Sequence, residues 1–84
     1  MTDREYEILD ALYFTVSFEA LKKELETEEL KLKEELLALI EKDWVKCLEK
    51  ISEEEINDLG LIKNNYKNYN FLASKKGLTI HNSR

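Results

Sequence analysis

Few side chains in this sequence have the type and spacing that nucleophilic, acid–base or metal chemistry requires. Cys47 could act as a nucleophile beside His81, but it lies in an alternating apolar stretch and is predicted to be a small buried hydrophobe. Because His81 is the only histidine, a histidine-based metal site is not expected. The glutamates at 53–55 complement a predicted helix N-terminus. We therefore expect no catalytic residue, no metal, no cofactor and no enzymatic activity.

A basic, amide-rich stretch near the C-terminus offers a different chemistry. Residues 61–84 contain five Lys or Arg and no acid, whereas residues 1–60 contain eight Lys or Arg against 18 Asp or Glu. Cations interspersed with amides and an aromatic ring can contact a phosphate backbone. The alternative is a solvated loop whose lysines keep a hairpin soluble. The residues of this stretch that could contact nucleic acid are Lys63, Asn65, Lys67, Lys75 and Lys76.

Length and composition limit the class of protein. We expect 84 residues to form a single domain, 1–84, and the balance of 43% hydrophobic and 37% charged residues is typical of a folded chain. A lone cysteine cannot form an internal disulfide, which favours a reducing compartment such as the cytosol. No apolar run approaches the ~20 residues of a membrane span. The acidic first ten residues do not resemble a signal peptide, so no membrane association is expected.

Three helices are predicted in the first half of the chain. Thr2 and Glu5 form a capping-box pattern that begins a helix of about 12–14 residues. Ser17 is a good N-cap for a helix over 18–25, and Thr27 for a third helix ending near Asp43. A single coiled-coil helix over 18–43 is the alternative. It fails because three of its four d positions are charged.

The second half is predicted to contain strands. Residues 44–48 alternate and carry β-formers, and residues 69–73 form a second such run. Between them, Ser52 and Glu55 make another capping-box pattern that predicts a short helix ending at Gly60. The Asn-rich residues 63–70 read as a loop, and Ser74 can cap a final turn.

Three helices, a strand, a loop and a returning strand form the order of a winged helix-turn-helix. The run at 36–50 (LLALIEKDWVKCLEK) resembles the passage from helix 3 to the wing in winged-helix transcription regulators. The run at 69–81 (YNFLASKKGLTIH) resembles the second wing strand and the start of the next helix in that family. The resemblance predicts an α+β fold: a three-helix core with a two- or three-stranded antiparallel wing and a long insert. Asp43, Glu26 and Lys22 depart from the small residues usual in the family.

The resemblance implies a DNA-binding transcriptional regulator whose third helix enters the major groove of double-stranded DNA. Lys31 and Lys33 are the cations of that helix that could reach DNA, but Glu28, Glu29, Glu34 and Glu35 accompany them. The alternative function is a protein–protein interaction module, whose partner could be a second copy forming a homodimer. The apolar residues proposed for such a surface are Tyr13, Phe14, Leu30 and Leu37.

Overall fold

The computed structural model describes all 84 residues as five α-helices and four short β-strands. The helices are α1 (Asp3–Ala11), α2 (Phe18–Leu25), α3 (Glu29–Glu41), α4 (Leu59–Asn65) and α5 (Lys75–Asn82). The strands are β1 (Val16–Ser17), β2 (Val45–Glu49), β3 (Glu55–Ile56) and β4 (Tyr69–Ala73), and a 3-10 turn, Tyr66–Asn68, joins α4 to β4. None of the helices combines the length and apolar character that crossing a membrane requires.

The four strands form one antiparallel sheet in the order β1-β4-β2-β3. β2 and β4 pair along their whole length, with Val45 opposite Ala73 and Glu49 opposite Tyr69. Because side chains alternate along a strand, this register directs Cys47 and Phe71 to the same side, and both are buried. The outer strands β1 and β3 are only two residues long, so each edge of the sheet is short.

The core is built between the buried face of this sheet and the helices. Only 17 of the 84 residues are buried, so every element that covers the core matters to stability. The core residues are Ile8, Leu9, Leu12, Phe18, Leu21, Leu32, Leu36, Leu39, Val45, Cys47, Ile62, Tyr69, Phe71 and Ala73. Ile62 comes from α4, which shows that the segment between β2 and β4 contributes to the core.

A close contact joins the start of β2 to the start of α5. The Ser74 amide donates to the Trp44 carbonyl at 2.9 Å, and the Ser74 hydroxyl donates to the Asp43 carbonyl at 2.6 Å. The same hydroxyl oxygen accepts a hydrogen bond from the Gly77 amide and so caps α5. A Cβ atom at Gly77 would lie 2.1 Å from the Trp44 carbonyl oxygen. Asp43 adopts a left-handed φ of 64° at this turn, which an aspartate tolerates better than most residues.

Several local predictions are confirmed. The capping box of Thr2 and Glu5 forms at the start of α1, and Ser17 caps α2 through the Ala20 amide. Ser74 caps the final helix, and the strand at 69–73 has the predicted bounds. The α+β class is also confirmed. Each of these features is specified by residues close together in the sequence.

Other predictions are wrong where a more distant contact decides the structure. The helix predicted from Ser52 to Gly60 does not form: residues 55–56 are β3, because Ile56 pairs opposite Cys47 and packs against the core, and Gly60 lies near the start of α4. The predicted loop at 63–70 is instead the end of α4, the 3-10 turn and the start of β4. The third helix begins at Glu29 with Glu28 rather than Thr27 at the N-cap position, and the first helix has nine residues. Neither β1 nor β3 was predicted as a strand, so the sheet has four strands rather than the two or three expected for the wing.

We expect Gly77→Ala to lower the free energy of unfolding by at least about 2 kcal/mol, because the added methyl group meets backbone that a side-chain rotation cannot move. Gly60→Ala is the matched control, since its Cβ would lie 3.3 Å from the Asp58 side chain and the position is exposed. Gly60→Ala should change the free energy of unfolding by no more than about 1 kcal/mol. Urea unfolding followed by Trp44 fluorescence measures both, and equal effects would contradict the close packing at Gly77.

Candidate interaction surface

The 3-10 turn after α4 is held against α3 by one carboxylate. The Tyr66 hydroxyl donates to Glu29 Oε2 at 2.5 Å, and the Lys67 ammonium lies 3.0 Å from Glu29 Oε1. Lys22, on α2, is 4.0 Å from the same oxygen. These contacts lower the pKa of Glu29, with the Tyr66 hydrogen bond as the largest cause and the Lys67 hydrogen bond next. Glu29 therefore connects α2, α3 and the 3-10 turn through its ionised form.

Apolar contacts fix α4 beside α3. The Ile62 side chain is buried in the core, and the Tyr66 ring packs edge-to-face on Phe18 with ring centroids 4.7 Å apart. The Lys33 ammonium lies 4.9 Å from the centroid of the Tyr66 ring, within cation–π distance. Asp58 caps α4 by accepting a hydrogen bond from the Leu61 amide at 3.0 Å. The position of α4 therefore depends on side chains from α2 and α3 as well as on its own cap.

A groove of about 460 Å³ runs between α3 and α4. Its apolar lining is Leu30, Leu37, Ala38 and Leu59. Two lysines and two glutamates surround these apolar groups: Lys33, Lys63, Glu34 and Glu41. The Leu30 side chain is 58% exposed and Leu59 is 37% exposed, so the groove presents apolar surface to solvent. An apolar depression with both signs of charge at its margin is suited to an amphipathic segment of another protein.

The four glutamates predicted in the first half of the third helix divide into two pairs. Glu29 contacts Tyr66 and Lys67. Glu35 accepts two hydrogen bonds from the Arg4 guanidinium, at 2.8 and 3.0 Å. Glu28 and Glu34 stay exposed. Glu41 is also exposed, and both Glu34 and Glu41 border the α3–α4 groove. Lys31 is the one exposed lysine of α3. The outer surface of α3 is therefore acidic.

The residues predicted to bind nucleic acid do not form one surface. Lys67 is paired with Glu29, and the Asn65 amide group donates to a carbonyl of its own helix. Lys63 lines the α3–α4 groove. Lys75 and Lys76 share a different depression with Lys46, and Asp43 and Glu55 line it as well.

The predicted protein-contact residues also separate into two places. Leu30 and Leu37 line the α3–α4 groove. Tyr13 and Phe14 lie in the connection from α1 to β1, where the Tyr13 hydroxyl donates to Asn82 and Phe14 is 81% exposed. The second wall of the groove is formed by Leu59 and Gly60 of α4, a helix whose position was not predicted. Asp58 followed by apolar residues at helical spacing is the local signal that could have predicted it.

We expect Tyr66→Phe to raise the pKa of Glu29 towards its ordinary value, because the strongest hydrogen bond to the carboxylate is removed. In the folded wild type this pKa is lowered, so the stabilisation by ionised Glu29 is complete above the usual glutamate value of about 4.3 and is lost as the pH falls through the folded value. Carboxyl ¹³C shifts followed between pH 2 and 7, a range of about five units, measure this pKa. Tyr13→Phe is the control, and an unchanged Glu29 titration in Tyr66→Phe would contradict the prediction.

The side chains considered above for catalysis, Cys47 and His81, are buried, and His81 also contacts other side chains of the chain. Burial raises the pKa of the Cys47 thiol to about 12. His81 is buried, with its ring stacked on Tyr6 at 4.2 Å and its Nε2 3.1 Å from Asp10 Oδ1. No three His, Cys, Asp or Glu side chains are grouped so that they could hold a metal ion. Comparison with known protein families, with characterised proteins and with solved structures finds no match for this chain.

Proposed function

We propose that this chain is a winged-helix domain that binds another protein through the groove between α3 and α4. Three helices followed by a strand, an insert and an antiparallel returning strand support the winged-helix assignment. The insert between β2 and β4 contains β3 and α4, and it supplies one wall of the groove. The partner segment is amphipathic, with an apolar side chain for the lining at Leu30 and Leu59 and charges of both signs beside it.

The acidic outer surface of α3 is the observation that carries this proposal. A helix that enters the major groove must approach phosphates, and most of the affinity for DNA comes from neutralising them. Glu28, Glu34 and Glu41 are exposed there, and Lys33 lies over the Tyr66 ring. The hairpin between β2 and β3 carries Glu53, Glu54 and Glu55, all exposed, so it is also acidic. Both surfaces favour a protein partner over a phosphate backbone.

We expect a photo-crosslinking residue at position 30 to give one discrete protein adduct in the source cells. Leu59→Glu should abolish that adduct, because it places a charge in the apolar lining. Leu61→Glu is the matched control: it lies on the same helix, is 45% exposed and is outside the groove lining. Fluorescence anisotropy with random duplex DNA at about 50 and 200 mM salt should show no saturable binding. Duplex binding at the lower salt, or an adduct that survives Leu59→Glu, would contradict the proposal.

DNA binding by the same winged-helix domain is the second candidate function. The observation in its favour is the depression that Lys46, Lys75 and Lys76 line at the start of α5. Three lysines close together can contact two or more phosphates. Asp43 and Glu55 in the same depression reduce its positive potential, which is why this candidate ranks second.

We expect Lys75→Glu combined with Lys76→Glu to remove any affinity for duplex DNA while the fold remains intact, since both side chains are exposed. Circular dichroism checks the fold and anisotropy measures the affinity. Lys23→Glu combined with Lys50→Glu makes the same change in net charge and is the control, since both lysines are exposed and lie outside the depression. Unchanged affinity in the double variant would exclude this depression as the DNA contact.

A further inference from the structure

The chain is free of charge along one edge of the sheet. Residues 12–18 (LYFTVSF) contain no charged side chain, although 37% of the whole chain is charged. This segment includes β1, which pairs with β4 and ends the sheet on that side. The Leu12 carbonyl also accepts a hydrogen bond from the Ala73 amide, so the segment follows β4 before β1 begins. Five of its seven residues are β-branched or aromatic, the types that favour strands: Tyr13, Phe14, Thr15, Val16 and Phe18.

The opposite edge of the sheet is protected in the way that monomeric sheet proteins protect their edges. The β2–β3 turn and β3 present Glu53, Glu54 and Glu55, all exposed, and Glu53 has a left-handed φ of 61°. A second strand that paired with β3 would meet this run of like charge. The segment 12–18 itself carries no charge, and within it Phe14 is 81% exposed.

We propose that β1 pairs with β1 of a second copy of this chain, antiparallel and about a two-fold axis. Two copies that each carry a net charge of −5 repel one another, so they associate best through a surface without charge. A two-fold axis places the same strand against itself in the antiparallel sense, and each copy then contributes the same residues. The four-stranded sheet would continue across the axis. This surface is separate from the α3–α4 groove, so the inference does not rest on the proposed protein partner.

The size of this contact predicts a weak dimer. A phenylalanine carries about 150–250 Å² that can be buried, so Phe14 from each copy and two short strands remain below the ~1,200 Å² of a stable interface. Self-association should therefore depend on concentration, with a dissociation constant of about 10 µM to 1 mM. Exposed Phe14 is the expected apolar anchor, because aromatic side chains dominate interface energetics.

Charge placed at Thr15 tests the pairing. Thr15 is exposed and lies one residue before β1, so Thr15→Lys and Thr15→Glu should each fold normally. When Val16 of one copy lies opposite Val16 of the other, the two side chains at position 15 are diagonal neighbours on one face of the sheet, about 7–8 Å apart and within reach of long side chains. Each single variant then brings like charges together and should weaken self-association about twofold to fivefold. An equimolar mixture of the two variants brings opposite charges together and should restore it as a heterodimer.

Sedimentation equilibrium up to about 1 mM protein measures self-association across the expected range of dissociation constants. Hydrogen exchange of the amides at 13–17 should slow as the protein concentration rises, because pairing protects the backbone of this edge. Thr79→Lys, an exposed threonine on α5, is the matched control and should associate like wild type. Leu59→Glu in the groove should also leave self-association unchanged, which separates this surface from the proposed function. A wild type that is monomeric throughout, single variants that associate as tightly as wild type, or a mixture that associates no more tightly than either variant alone would each overturn the proposal.

Discussion

The contact between Gly77 and the Trp44 carbonyl is the constraint on which the rest of the fold depends. It joins the residue before β2 to the first turn of α5, and the Ser74 amide completes the junction by donating to the same carbonyl. The register of β2 and β4 is thereby set at one end, with Val45 opposite Ala73. A slip of one residue would turn every buried side chain of a strand towards solvent. Glycine is required there because no side chain fits between helix and backbone.

The distribution of acids then decides which surfaces can meet a partner. Glu35 is engaged by Arg4, and Glu29 is engaged by Tyr66 and Lys67, so these two acids stabilise the packing of α3. Other acids are exposed on several elements, including Glu19 on α2, Glu34 on α3 and Glu54 in the β2–β3 hairpin. Acidic side chains therefore face solvent around much of the molecule, α3 and the hairpin included. The apolar surface available for recognition lies in the α3–α4 groove and at the edge beside β1.

The sequence predicts those parts of the fold that neighbouring residues determine. Thr2, Ser17 and Ser74 each cap a helix through an amide three residues away, and these caps could be recognised from local pattern alone. The strand β3 could not be predicted in this way, because Ile56 takes its position from pairing with Cys47. The cap of α4 at Asp58 is local, but the placement of α4 against the core depends on Ile62. The same reason limits prediction of the site. Leu30 and Leu37 are recognisable as surplus apolar residues of a helix, but the wall that Leu59 adds depends on the packing of α4.

The insert between β2 and β4 has two structural consequences. Its first half forms β3 and the acidic turn, which end the sheet with charge on that side. Its second half forms α4, which buries Ile62 and turns a helix face of α3 into a groove. Nothing comparable is inserted beside β1, where α2 begins directly after Ser17. The two edges of the sheet are therefore equally short but differ in charge, and the self-association proposed above uses the edge without charge.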